Sequence, residues 1–175
     1  GKPLTYTGAL VFCHANSPIH AVKALADEMV TAVKNSIGKS DLPCGQAGRP
    51  VLPTEKGDHL VYQVLESFDQ LGKSVEGYWM ERFGGKLCGL LTLDQVTLLA
   101  DHMSLWRSYV SRRRLHQLYR DKQKITDTTI GELFEKSDPS PKTRESLEQW
   151  LQVCGEAGLV HLLELWDYVA PEARV

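Results

Sequence analysis

The sequence predicts an α+β protein in which a βαβ segment precedes an all-α helical domain. Two observations lead to this prediction. Residues 5–67 contain two strand-like stretches with an amphipathic helix between them. From about residue 75 onward, apolar residues recur at helical spacing. We therefore expect one domain over residues 1–72 and a helical domain over residues 73–175.

The N-terminal segment begins with residues 5–12, which are rich in strand formers, and residues 60–65 form the second expected strand. Between them, residues 18–34 carry an apolar helical face. Ser17 is placed to cap this helix, and Pro18 to occupy its first position, where a missing N–H costs nothing. Residues 38–57 lack periodicity and are long for a connection, which indicates a functional loop or an insertion.

Composition limits the function classes. The chain has 175 residues, of which 42% are hydrophobic and 24% charged, as in a soluble globular protein. Its net charge of −2 gives no overall attraction to nucleic acid or membranes. There is no CxxC pair, and the favoured interpretation of Cys13 and Cys154 is a buried free thiol. No signal peptide or membrane-length apolar run is found, so we expect a cytoplasmic protein without a membrane partner.

Two groups of polar residues are candidate binding sites. His14, Asn16 and Ser17 gather at a strand end beside a helix N-terminus, where α/β proteins bind anions or nucleotides. The alternatives are a capping role for Ser17 and a backbone hydrogen bond for His14. The second group is a basic stretch between residues 107 and 124. It has seven cations against one acid: Arg107, Arg112, Arg113, Arg114, Arg120, Lys122 and Lys124 against Asp121.

On a helix, Arg112, His116 and Arg120 share one face at a spacing of four, with Arg113, Arg114 and Tyr119 at its flanks. A basic face interleaved with aromatic residues suits an RNA backbone. The alternative is a solvated or protein-facing basic helix. By contrast, residues 144–172 are acidic and suit a protein contact or solvent. The four tryptophans, at helical spacing with leucines, are expected in the core: Trp79, Trp106, Trp150 and Trp166.

A resemblance to a known family covers nearly the whole chain. Residues 7–26 resemble a late palm segment of the large subunit of type III CRISPR effector complexes, where a strand ends in His and a Pro-headed helix follows. His14 and Pro18 stand in those places. Residues 58–67, with Gly72 after them, are similar to the final palm strand. Residues 111–119 are similar to the C-terminal helical domain, and the type III-B branch fits best.

The resemblance implies that residues 5–67 are part of a ferredoxin-like palm, which joins ATP into cyclic oligoadenylates when the complex binds target RNA. In relatives, two metal ions held by a Gly-Gly-Asp-Asp turn activate the attacking hydroxyl. This sequence contains no such turn. We therefore expect no catalytic residue, no metal site and no cofactor in this chain, with ATP and Mg²⁺ or Mn²⁺ belonging to the parent protein, a nucleotidyltransferase in antiviral defence.

The resemblance also implies binding residues. Lys34 stands where relatives place a Lys near the triphosphate, and His14 and Ser17 would face the nucleotide from the strand end. Asn16 departs from the basic residue expected there. For Lys34, the alternative is a solvated side chain that complements the helix dipole. The helical domain would lie against the small helical subunit and would contact the crRNA–target RNA duplex through five residues: Arg112, Arg113, Arg114, His116 and Arg120.

The sequence is also compatible with a different class of function, a protein-binding adaptor. Two strands and one helix do not make a stable sheet in water. Either the chain is part of something larger, and its two strands present exposed edges, or it is a self-contained helical adaptor that covers them and binds protein only. A hydrolase that uses His14 or Cys13 lacks the partner residues such chemistry needs.

Overall fold

The computed structural model describes residues 4–36, 57–66, 71, 74–75, 77–78, 90–120, 133–134, 140–154 and 157–169. Within these residues the chain forms a three-stranded sheet and five helices, which agrees with the α+β prediction. Internal contacts divide it into two compact units, Gly1–Leu93 and Asp94–Val175. This division falls later than residue 72 because a third strand, at residues 90–92, pairs with the sheet.

The sheet of the first unit has the strand order β1-β2-β3. Strands β1 (Thr7–Phe12) and β2 (His59–Val64) are parallel, and β3 (Leu90–Thr92) is antiparallel to β2. The carboxyl ends of β1 and β2 therefore lie at the same edge. The expectation of helix throughout residues 73–175 is wrong at β3, because three residues are too few to show a strand-like alternation.

Helix α1 (Ile19–Ser36) connects the two parallel strands and covers the sheet. Its side chains Leu25, Met29 and Val33, spaced by four, are buried on one face. Burial of each such side chain contributes about 1.5–3 kcal/mol. The predicted bounds of helix and strands are correct to within two residues. Apart from Gly57, the long loop predicted over residues 38–57 lies outside the described residues.

The second unit contains helices α2 (Leu93–Tyr109), α3 (Arg112–Arg120), α4 (Pro141–Cys154) and α5 (Ala157–Leu165). Every residue of α5 is buried, so this helix has no solvent face. The prediction of core tryptophans is confirmed for Trp106, Trp150 and Trp166, whereas Trp79 lies outside the described residues. None of the helices described is long and apolar enough to cross a lipid bilayer.

Candidate functional site

A turn at residues 14–17 follows β1 at the carboxyl edge of the sheet. The Ser17 amide donates to the His14 carbonyl at 2.9 Å. The Pro18 carbonyl accepts the first helical hydrogen bonds, from the amides of Ala21 and Val22 at 3.0 and 3.1 Å. Within the described part of the chain the Ser17 hydroxyl makes no hydrogen bond. The capping role predicted for Ser17 is therefore wrong, and Pro18 is the residue that precedes the helix.

The three predicted nucleotide-binding residues are not brought together. His14 is exposed and Ser17 half-buried, and both lie at the carboxyl edge of the sheet. Lys34 is exposed near the opposite end of α1. With a rise of 1.5 Å per residue, Lys34 lies roughly 22 Å along the helix axis from Ile19. One nucleotide would have to span most of α1 to touch all three side chains.

The cysteines differ from the prediction in one respect. Cys13 is exposed, not buried, because it lies just after β1 has ended. Cys154 is half-buried at the end of α4. Burial raises the pKa of its thiol to about 12, although a hydrogen bond with Gln95 acts in the opposite direction. Both are free thiols. Cys44 and Cys88 lie outside the described residues.

Helix α3 presents a cationic face to solvent. Its inward side chains are Leu115 and Leu118, which are buried. With about 100° of rotation per residue, the opposite side carries Arg113, His116 and Arg120, all of them exposed. The predicted face of Arg112, His116 and Arg120 is exposed, and the side directly opposite the two leucines lies about 30° further round, with Arg113 in place of Arg112. The two leucines fix which side faces the core.

Arg112 and Arg114, two further arginines of α3, make intramolecular hydrogen bonds. Arg112 Nη1 donates to Asp167 Oδ2 at 2.5 Å. Arg114 is half-buried, and its Nη1 donates to Gln117 Oε1 at 3.1 Å. The Ser111 hydroxyl accepts the Arg114 amide at 3.2 Å and thereby caps the helix. The acidic stretch thus contacts the basic helix through Asp167, a pairing across 55 residues that the sequence pattern does not reveal.

The last turn of α2 carries a further arginine of the basic stretch, Arg107. Its guanidinium lies over the Trp166 ring, 5.7 Å from the ring centroid. Burial lowers the pKa of Arg107, and attraction by the Asp167 carboxylate opposes that shift. Two of its nitrogens, Nε and Nη2, are buried and have no hydrogen-bond partner among the residues that the structure describes. In the sequence, Arg107 is only one member of the basic stretch, and Lys122 and Lys124 lie outside the described residues.

The described residues thus offer two groups of polar side chains with different chemistry. One is the small turn with His14 and Ser17, and the other is the arginine-rich face of α3 with Arg107 and Asp167 beside it. Among the residues that the structure describes, no cluster of His, Cys, Asp and Glu could hold a metal ion. No family model, curated protein or solved structure matches this chain.

Proposed function

We propose that this chain is a C-terminal part of a type III CRISPR effector large subunit and that helix α3 contacts RNA. The observation that carries the RNA contact is the exposed row of Arg113, His116 and Arg120 on one side of α3. Guanidinium groups bind phosphates in a bidentate manner, and a row of them matches the repeated charge of a nucleic-acid backbone. The expected partners are the crRNA–target RNA duplex and the small helical subunit.

We assign the first unit to a ferredoxin-like palm that takes part in ATP binding. The parallel β1–α1–β2 arrangement supports this assignment, as does the polar turn at the carboxyl edge of the sheet. His14 and Ser17 form one proposed nucleotide contact. Lys34, at the other end of α1, forms a separate one. ATP and Mg²⁺ or Mn²⁺ would act in the parent protein, whose metal-binding turn this sequence does not contain.

The second candidate, a self-contained helical adaptor that binds protein, is favoured by the position of β2. This strand pairs on both sides, and the residues from Val61 to Leu65 are buried, so β2 does not have the exposed edge expected of a partial sheet. Strand β1 favours the first candidate. Among the described residues it pairs only with β2, and its Leu10 is 45% exposed.

The RNA contact is tested by titrating a fluorescently labelled RNA duplex with the 175-residue chain. We expect the Arg113→Gln/Arg120→Gln double variant to bind about tenfold more weakly, since it loses two charge-assisted contacts. A control with the same change of charge is Lys23→Gln/Lys142→Gln, at two exposed lysines that are not part of α3. Equal weakening by both double variants would show only a general charge effect and contradict the proposal.

The family assignment has an independent test in the gene. A segment encoding strand–Gly-Gly-Asp-Asp–strand in the reading frame upstream of Gly1 would support the palm. A start codon at this position would contradict the palm assignment and leave the adaptor.

A further inference from the structure

The Asp167 carboxylate in the second unit forms an ion pair with one guanidinium group and attracts a second one. Arg112, the first residue of α3, donates to Asp167 in the turn after α5. The same carboxylate attracts Arg107 at the end of α2. The cluster of Arg107, Arg112 and Asp167 therefore contains two guanidinium groups and one carboxylate, and within the described residues only Arg112 is bonded to that carboxylate.

The cluster is also short of hydrogen-bond acceptors. Arg107 Nε and Nη2 are buried, and no acceptor from the described part of the chain reaches them. A buried charged donor without an acceptor costs free energy, because the water that would satisfy it has been removed. The Trp166 ring beneath the guanidinium offsets part of this cost through a cation–π contact but supplies no acceptor oxygen. These two nitrogens of Arg107 can therefore still donate hydrogen bonds to the oxygens of an anion.

The ion pair between Arg112 and the Asp167 carboxylate is weak. The side chains of Arg112 and Asp167 are 46% and 57% exposed. Exposed ion pairs of this kind contribute about 0.2–1 kcal/mol, so a ligand with better-placed oxygens can replace one partner at little cost. A phosphodiester carries one negative charge and two unesterified oxygens, like the carboxylate, and arginine forks bind both groups in the same manner.

We propose that Asp167 is an internal counter-ion that occupies a phosphate subsite formed by Arg112 and Arg107, and that an RNA phosphate displaces it. This inference rests on the proposed RNA contact of α3 and extends the binding row from Arg113, His116 and Arg120 to the start of the helix. Asp167 would then lower the affinity for RNA by competition, and binding would require the Arg112–Asp167 pair to open.

The test compares the affinity for the same RNA duplex of Asp167→Asn and of Asp101→Asn, a matched change at an exposed acid on α2. Asp167→Asn should bind about tenfold more tightly, the effect of one gained charge-assisted contact, and Asp101→Asn should bind much like the wild type. The gain should fall to about threefold or less in an Arg112→Gln background, since coupled residues are not additive. Asp167→Ser gives the same comparison with a second side chain, and circular dichroism checks that each variant folds.

Two results would overturn the inference: equal gains from Asp167→Asn and Asp101→Asn, or an undiminished gain in the Arg112→Gln background. Either one would indicate long-range repulsion without competition. The proposed RNA contact fails separately, if substitution of Arg113 and Arg120 leaves RNA binding unchanged. If the wild-type chain does not bind RNA at all, both proposals are wrong.

Discussion

The indole Nε1 of Trp150 donates a hydrogen bond of 3.0 Å to the carbonyl oxygen of Gly158. Trp150 lies on α4 and Gly158 near the start of α5, so this bond fixes the approach of the two helices. A Cβ atom at position 158 would lie 3.2 Å from Trp150 Nε1 and 3.1 Å from Leu151 Cδ2. Glycine therefore permits the close contact on which the bond depends.

Gly158→Ala should lower the free energy of unfolding by about 1–2 kcal/mol. Alanine is the better helix former, but its methyl group would press on Trp150 and Leu151, which are buried and have little room to move. The measurement is thermal or urea unfolding. Gly8→Ala is the control, because a Cβ atom there meets only Leu60 Cδ1 at an ordinary 3.4 Å. A rise in stability for Gly158→Ala would contradict this account of the helix contact.

Ser146→Ala should destabilise the second unit by about 1–3 kcal/mol. The Ser146 hydroxyl accepts the Trp106 Nε1–H at 2.9 Å and donates to the Thr143 carbonyl at 2.9 Å. Its removal leaves a fully buried indole N–H without its acceptor. Denaturant unfolding measures the change. The exposed Ser108, which bonds only within its own helix, is the control and should change stability by less than about 0.5 kcal/mol when replaced by Ala. Equal effects of the two substitutions would contradict the role given to Ser146.

Acid should weaken the fold through His161. Burial lowers the pKa of His161 from 6.5 to about 3, so the folded state holds the neutral imidazole. The unfolded state takes up a proton below pH 6.5, so the stability that depends on neutral His161 is complete above that pH and is lost as the pH falls toward 3. Between pH 6.5 and about 3, the free energy of unfolding therefore falls by about 1.4 kcal/mol for each pH unit.

The free energy of unfolding, measured between neutral pH and pH 4, should therefore fall less steeply in His161→Gln than in the wild type. The exposed His20→Gln is the control and should follow the wild-type curve. Parallel curves for wild type and His161→Gln would show that this imidazole is not responsible for the acid sensitivity.

Strand β1 should promote self-association of the isolated chain. Leu10 is 45% exposed on this strand, which pairs only with β2 among the described residues. Exposed strand edges pair with other chains, and an added lysine opposes that pairing. Leu10→Lys should therefore reduce the concentration-dependent association seen by sedimentation, whereas Leu93→Lys, at an exposed leucine that begins α2, should not. Equal behaviour of the two variants would favour a covered sheet and the adaptor function.

Much of the fold was predictable from local patterns. The spacing of Leu25, Met29 and Val33 predicts the buried face of α1, and the leucine-flanked Trp106 and Trp150 predict a helical core. Strand β3 was not predictable because three residues carry no periodicity. A serine hydroxyl just before a Pro-headed helix has several backbone N–H donors within reach. The sequence alone therefore could not show that Ser17 does not cap α1.

The candidate site was less predictable than the fold. The sequence indicates a basic helix with Arg112, His116 and Arg120 on one face, but only the burial of Leu115 and Leu118 shows that Arg113 lies directly opposite the core. The Arg112–Asp167 pair depends on how α3 packs against α5. A contact across so many residues depends on tertiary packing, which no local spacing rule describes.

The salt dependence of RNA binding shows whether the arginines of α3 contact phosphates. Each phosphate contact adds about one to the negative slope of log affinity against log salt concentration. If Arg113 and Arg120 bind phosphates, the slope for the Arg113→Gln/Arg120→Gln variant should be less steep than that of the wild type by about two. The Lys23→Gln/Lys142→Gln control should keep the wild-type slope. An unchanged slope in the arginine variant would contradict the assignment of α3 as an RNA-binding helix.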